Sequence, residues 1–222
     1  MSIKKTPHTV LQQRDERRRS PSAERNRDFI YDVLKGILPN KGLLLEIASG
    51  TGDHAAWIGP QFSSLTWQTS EFNTELFSSI CSHITHAKTD NILNPIHIDV
   101  TQQGWALDAE KSQELTKNID VITCVNMVHI TPWEATLGLL SGANNLLKEN
   151  GALYLYGPFI QDHVDTAPSN IQFDASLRQR DDKWGIRRLE VVQQAAEENG
   201  FVLEKIIAMP ANNLSLVFRK IS

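Results

Sequence analysis

The chain has 222 residues, of which 41% are apolar, so it is long enough to bury one sizeable core and barely long enough for two. It has no run of about 18 apolar residues, and its first twenty residues are polar and basic, so we expect a cytoplasmic protein without a membrane-spanning helix. The net charge of −4 divides into +5 over the first 27 residues and −9 over the rest. The short segment over residues 1–20 has mixed charge, which is more typical of a solvated leader than of a nucleic-acid-binding arm.

The first predicted element is a helix over residues 21–38. Ser20 and Pro21 are typical of a helix N-cap and of the first helical position, and Pro39 is typical of a helix end. The apolar residues between them recur at helical spacing and are Phe29, Ile30, Val33, Leu34, Ile37 and Leu38.

Strands and helices then alternate along the chain, which indicates a parallel sheet with helices on both faces. Two final apolar runs, "FVLEKIIAM" and "LSLVFRK", are separated only by "PANN", which suits an antiparallel hairpin. We therefore predict one α/β domain over residues 21–222, with a Rossmann-like, doubly wound, mostly parallel seven-stranded sheet and an antiparallel C-terminal strand. The other predicted strands are 43–48, 65–70, 95–98, 119–125 and 151–156, and the other predicted helices start near 53 and cover about 73–86, 133–147 and 187–199.

The stretch "LLLEIASGTGDHA", residues 43–55, forms the first turn from a strand to a helix. Ligands of such sheets bind beyond the carboxyl ends of the strands, and Gly50 and Gly52 leave the backbone there open to a nucleotide-like ligand. No Gly-Lys-Ser/Thr triplet follows, so a P-loop is excluded. The spacing Gly50-x-Gly52-x-x-Ala55, with Glu71 about twenty residues later, also fits NAD, and an NAD-dependent oxidoreductase stays open.

Two further acids favour a different cofactor. Glu46 lies inside the first predicted strand, and Asp99 ends the third. Together with Gly50, Gly52 and Glu71, they resemble the ordered motifs of class I S-adenosylmethionine-dependent methyltransferases over about residues 43–219. Six segments also resemble the uncharacterised methyltransferase-like twenty-six group, and they are "SPSAERN", "EIASGTGDHA", "DVITCVNMVHITPW", "LYGPF", "SNIQFDASLRQRDDKWGIR" and "MPANN".

The resemblance implies S-adenosylmethionine as the cofactor. Glu71 would accept hydrogen bonds from both ribose hydroxyls, and Asp99 from the adenine amino group. Ala48 stands where a glycine is common, and its methyl group would crowd the methionine end of the cofactor. The residues implied to bind the cofactor are Arg25, Asn26, Glu46, Ala48, Gly50, Gly52, Glu71, Phe72, Asp99, Val100 and Asn126.

The fourth predicted strand ends in "CVNMVHI", so we expect Asn126 and His129 to face the methyl group and to position or deprotonate an acceptor. Tyr156, at the end of the fifth strand, completes the predicted catalytic set. Asn126 is not followed by the Pro-Pro-aromatic sequence of the enzymes that methylate nucleic-acid amino groups, which argues against base methylation and is consistent with nucleic acid as an unlikely partner.

Residues 157–187 form a long stretch after the fifth strand, which is typical of a lid. Its arginines suggest a small anionic acceptor that carries a carboxylate or a phosphate. The predicted acceptor-binding residues are Asn170, Arg178, Trp184 and Arg187.

A metal site is not expected. His83 and His86 lie near Cys81, but no second ligand pair stands at a zinc spacing, and Cys81 and Cys124 form no CxxC pair. Three functional hypotheses remain: a methyltransferase that acts on a small molecule or on an exposed protein or RNA group, an NAD-dependent oxidoreductase, and a cofactor-binding module without catalysis.

Overall fold

The computed structural model describes residues 15–221. Helix α1 covers Pro21–Leu34, and the Ser20 hydroxyl caps it by accepting a hydrogen bond from the Ala23 N–H over 3.3 Å. The helix ends four residues earlier than predicted, because residues 35–38 form a tight turn in which the Gly36 N–H donates to the Val33 carbonyl.

Nine strands and six α-helices of the described residues follow α1. The strands are β1 (Gly42–Ile47), β2 (Leu65–Glu71), β3 (Ile92–His97), β4 (Ile119–Val125), β5 (Leu147–Gly157), β6 (Phe159–Ile160), β7 (Arg187–Arg188), β8 (Phe201–Met209) and β9 (Asn213–Lys220). The other helices are α2 (Asp53–Ile58), α3 (Phe77–Ala87), α4 (Ala109–Leu115), α5 (Trp133–Leu146), α6 (Pro168–Arg180) and α7 (Leu189–Glu198).

Seven strands form one sheet in the order β3-β2-β1-β4-β5-β9-β8. Strand β9 is antiparallel to both of its neighbours, and the other paired strands run parallel. The predicted fold is therefore confirmed. The strand order reverses between β1 and β4, which places the ligand-binding crevice of such a sheet at their carboxyl ends.

Hydrophobic clusters cover both faces of the sheet. Leu44 packs in a cluster with apolar residues of α1, α2 and α3, whereas its neighbour Leu45 packs in a cluster with residues of α5 and α7. Successive side chains of a strand point to opposite faces, so β1 is buried on both sides. The turn that follows β1 is thereby fixed on a rigid strand.

The segment 157–187 is more ordered than the predicted loop. It contains α6, and its two ends pair as β6 and β7, with Phe159 opposite Arg187. Helix α6 buries only Asn170 and Leu177, so it lacks the apolar periodicity by which a helix is recognised in a sequence.

The described part of the predicted leader packs against α3. The Arg18 N–H donates to the Ser79 hydroxyl over 2.9 Å, and the His83 ring donates to the Arg18 carbonyl over 2.9 Å. The first fourteen residues of that leader lie outside the described residues. Between residues 15 and 221, no helix has the length and apolarity needed to cross a membrane.

Candidate active site

A cavity of about 540 Å³ opens at the carboxyl ends of β1 to β4. Its walls come from the turn after β1, the ends of β2 and β3, the segment that follows β4, and the start of α1. Sequence segments that are distant from one another thus meet at the edge of the sheet where such folds bind ligands.

The turn after β1 has an unusual backbone. Ala48, Gly50 and Gly52 all have left-handed φ angles, of 56°, 58° and 94°. The Ser49 N–H donates to the Ser70 carbonyl over 2.8 Å, which ties the turn to β2. Ala48 and Gly50 line the cavity, whereas Gly52 packs against α3, where a Cβ atom would lie 2.9 Å from the Ile80 Cα.

Glu71 presents a fixed carboxylate at the cavity wall. It is 8% exposed, its Oε2 accepts from the Gly50 N–H over 2.8 Å, and its Oε1 accepts from the Asn73 N–H over 3.0 Å. Each carboxylate oxygen can accept more than one hydrogen bond, so both remain available to ligand hydroxyls.

Glu46 lies beneath the turn and does not line the cavity. Its Oε2 accepts from the Ser49 hydroxyl over 2.9 Å and from the Trp67 indole over 3.2 Å. Burial raises the pKa of Glu46 to about 7.

Asp99, Val100 and Phe72 line the cavity on the side of β2 and β3. The Oδ1 of Asp99 accepts from the N–H of Thr101 over 3.0 Å and from its hydroxyl over 2.6 Å, which leaves Oδ2 for a ligand. Phe72 is 62% exposed, and its ring centroid lies 5.9 Å from that of His97.

The start of helix α1 borders the cavity. Asn26 is buried, and its Oδ1 lies 2.8 Å from the Nε2 of His54, which lines the cavity. Arg25 is exposed and does not line the cavity. Ser22 and Ala23 of the same helix do line it.

Of the three predicted catalytic residues, Asn126 lines the cavity, and its N–H donates to the Tyr156 carbonyl over 2.8 Å. His129 and Tyr156 are both 3% exposed and lie outside the cavity lining. Burial, together with the charge of Arg187, lowers the pKa of His129 to about 4. Its Nδ1 has no hydrogen-bond partner within residues 15–221.

None of the four predicted acceptor-binding residues lines this cavity. The Asn170 amide donates to the Asn212 carbonyl over 3.0 Å, and Arg178 pairs with Asp174 over 2.8 Å. Trp184 is half-buried. The roles of these residues stay predictions.

Arg187 makes the most extensive of these contacts. Its guanidinium donates to the carbonyls of Val128, Thr131 and Lys183. It therefore holds the turn after β4 against β7.

Comparison with protein families decides where the chain belongs. A model of the protein family of unknown function DUF938 matches residues 17–220. The chain belongs to this family. Within the described range of this DUF938 protein, no group of three or more His, Cys, Asp or Glu residues is placed to hold a metal ion.

Solved structures similar to the DUF938 protein include an O-methyltransferase family protein from Burkholderia thailandensis, with a TM-score of 0.70, 16% identity, and coverage of 90% of this chain and 58% of that chain. Another is CalO1, a methyltransferase in calicheamicin biosynthesis solved in its SAH-bound form. Its TM-score is 0.70 at 10% identity, and the match covers 90% of this chain and 54% of CalO1. The mitomycin 7-O-methyltransferase MmcR has a TM-score of 0.72 at 14% identity, and the match covers 90% of this chain and 55% of MmcR. The DUF938 protein thus spans less than two thirds of these chains and shares their fold.

His54 is not among the site residues predicted from the sequence. His54 is the second residue of α2, directly after Asp53. This position next to the glycine turn is the sequence signal that could have identified it. Its proximity to Asn26 depends on how α1 packs across the turn, which no local pattern reveals.

Proposed function

We propose that the protein is an S-adenosylmethionine-dependent methyltransferase that acts on a small molecule. The observation that carries this proposal is the meeting of Glu71, Asp99 and the glycine turn on one cavity. The likeness to solved methyltransferases supports the fold that this function requires. The resemblance to the methyltransferase-like twenty-six group belongs to the same proposal. So does a cytoplasmic location, which the free thiols of Cys81 and Cys124 support.

The chemistry of the cavity fits the cofactor. Glu71 and Asp99 both offer free acceptor oxygens, which suit ribose hydroxyls and an adenine amino group. Within residues 15–221, no lysine or arginine lines the cavity. A wall with two carboxylates and no cation suits a positively charged nucleoside better than the two phosphates of a dinucleotide. NAD is therefore the less favoured ligand.

When bound, S-adenosylmethionine supplies a methyl group that its sulfonium already activates. The residues of this chain then have to orient the acceptor and exclude water. Ser22 and Ala23 of α1 cover the cavity from one side, and Asn126 borders it at the end of β4. Asn126 has a left-handed backbone conformation, with φ of 60°, and the bond from its N–H to the Tyr156 carbonyl holds its backbone at this border.

His129 is the proposed proton acceptor. The lowered pKa keeps its ring neutral at pH 7, and in the tautomer with the hydrogen on Nε2 its unpartnered Nδ1 can accept a hydrogen bond. A Cβ atom at Gly157 would lie 3.2 Å from this nitrogen and 3.6 Å from the Asn126 Oδ1, so the two side chains flank the same glycine.

The contacts of the arginines favour a neutral acceptor over the anionic one predicted from the sequence. Arg178 is paired with Asp174, and Arg187 is occupied by three carbonyls. Two apolar side chains nearby are exposed. Ile130 lines the cavity and is 40% exposed, and Phe173 packs against His129 and is 38% exposed. We propose an acceptor that carries an apolar ring or chain and a hydroxyl or amine.

Titration calorimetry with S-adenosylmethionine, S-adenosylhomocysteine and NAD tests the proposal. We expect both methionine nucleosides to bind and NAD not to bind. Turnover is then sought with a methyl-labelled donor and fractions of small molecules. Tight binding of NAD alone would replace the proposal with the oxidoreductase, and cofactor binding without any turnover would leave a binding module.

A further inference from the structure

Three side chains from separate elements meet beside the cavity. His54 on α2 lies 2.8 Å from Asn26 on α1 through its Nε2. Burial raises the pKa of Tyr156 on β5, and a hydrogen bond with the Asn26 side chain opposes that shift. Asn26 therefore joins the helix that covers the cavity to the turn and to the sheet.

This arrangement fixes the hydrogen positions on the His54 ring. The Asn26 Oδ1 can only accept a hydrogen bond, so the Nε2 of His54 carries the hydrogen. Burial lowers the pKa of His54 to about 4, and nearby Arg27 acts in the same direction while Asp53 opposes it. The ring is neutral at pH 7, and its Nδ1 offers a lone pair.

The position of His54 shows which end of the cofactor it would meet. Glu71 ends β2 and Asp99 follows β3, and both strands lie on one side of β1 in the sheet. They suit the adenosine part, so the amino-acid part extends across β1 towards β4. His54, after β1, and Asn126, after β4, line this second half of the cavity.

We infer that the Nδ1 of His54 accepts a hydrogen bond from the ammonium group of the cofactor's amino-acid end. This inference rests on the proposed function. A lone pair attracts an ammonium donor and repels a carboxylate, so the contact fixes the orientation of the amino-acid end. Asp53, the adjacent acid, does not line the cavity, and its carboxylate accepts from the Thr51 hydroxyl. His54 is thus the residue of α2 that faces this end of the ligand.

Two substitutions of His54 separate its two nitrogens. His54→Gln can keep the donor to Asn26 but has no acceptor in the place of Nδ1. His54→Asn keeps a polar atom near the place of Nδ1 but cannot reach Asn26. His86→Gln, at an exposed position on α3, is the matched control.

The probes are S-adenosylhomocysteine and its analogue in which hydrogen replaces the amino group, both measured by calorimetry. We expect the wild-type protein to prefer S-adenosylhomocysteine, and we expect His54→Gln to reduce this preference about tenfold or more, the range of a hydrogen bond to a charged group. His54→Asn should retain most of the preference, and His86→Gln all of it.

A second measurement uses the wild-type protein and does not depend on the folding of a variant. In ¹⁵N NMR of labelled histidines, the Nδ1 signal of His54 should shift with S-adenosylhomocysteine and stay in place with the deaminated analogue. An unchanged preference in folded His54→Gln, or equal shifts with both ligands, overturns the inference and leaves the proposed function standing. If the wild-type protein binds neither ligand, both fall.

Discussion

Glu71 accepts a hydrogen bond from the N–H of Gly50 over 2.8 Å and thereby joins the end of β2 to the turn that follows β1. Its second oxygen accepts from the N–H of Asn73. One buried carboxylate thus fixes two turns at the mouth of the cavity, and it is held in place before any ligand arrives. Such preorganisation lowers the cost of ordering the site on binding.

Glu71→Ala should weaken binding of S-adenosylhomocysteine tenfold or more. The variant loses one or two charge-assisted hydrogen bonds to the ligand, each worth about 1.5–3 kcal/mol. Asp99→Ala should have a smaller effect in the same direction, because Asp99 lies in a more exposed position. Titration calorimetry measures both dissociation constants.

Glu75→Ala is the control, because Glu75 is exposed and lies four residues after Glu71. Thermal unfolding of each variant separates a lost ligand contact from a loosened turn. An unchanged dissociation constant in Glu71→Ala would show that the ribose lies elsewhere.

Glu46 should make the stability of the protein depend on pH. Its folded-state pKa is raised from 4.5 to about 7, so its protonated form is favoured in the fold. The resulting stability is complete below pH 4.5 and is lost as the pH rises through 7.

Glu46→Gln removes this titration, and its amide oxygen can keep the bonds to Ser49 and Trp67. The unfolding free energy of the variant minus that of the wild-type protein should rise by about 2 kcal/mol from pH 5 to pH 8, because only the wild-type protein loses the contribution of Glu46. Urea unfolding of both proteins at both pH values measures this difference in unfolding free energy. The titration of all other groups is common to the two proteins and cancels. A difference that is the same at pH 5 and pH 8 would contradict the raised pKa.

Gly52 and Gly104 allow backbone strain to be separated from packing. Both have left-handed φ angles, of 94° and 64°, but an added Cβ atom would lie 2.9 Å from the Ile80 Cα at Gly52 and would meet nothing within 4 Å at Gly104. Gly104→Ala should cost about 1 kcal/mol from strain alone. Gly52→Ala should cost about 1–3 kcal/mol more, because α2 and α3 must separate. Chemical unfolding compares the two, and equal losses would show that α3 yields without cost.

The sequence patterns predicted the fold where burial is regular. Strand β4 is mostly apolar and mostly buried, and its predicted bounds, 119–125, match the structure. Strand β3 begins three residues before its predicted start. It is an edge strand, and Pro95 is tolerated in it because one side of the strand has no partner. Pro95 and the exposed Leu93 interrupt the apolar pattern by which the start of the strand could have been predicted.

The candidate site was predictable where it depends on strand ends. Glu71, Asp99 and Asn126 follow parallel strands, and the carboxyl ends of such strands meet at one edge, so their proximity follows from topology alone. The contact of His54 with Asn26 spans 28 positions in the chain and depends on how a helix packs. The partners of Arg187 are main-chain carbonyls, which no side-chain pattern marks.

The structure and the sequence predict different consequences for Arg187→Ala. As an acceptor-binding residue, Arg187 would affect only the KM of the acceptor. As the donor to the carbonyls of Val128 and Thr131, it holds the turn that carries His129. We expect Arg187→Ala to lower the unfolding free energy by about 1.5–3 kcal/mol, the range for hydrogen bonds to a charged group, and to lower kcat because His129 is displaced.

Two other arginines of the segment 157–187 serve as controls for this variant. Arg180→Ala changes an exposed side chain, and Arg178→Ala removes an exposed pair with Asp174 that is worth about 0.3–0.5 kcal/mol, so both should leave stability nearly unchanged. Urea unfolding and steady-state kinetics are measured on all three. A rise in KM in Arg187→Ala with full stability and unchanged kcat would place this arginine on the acceptor after all, and an anionic acceptor would then be restored as the better hypothesis.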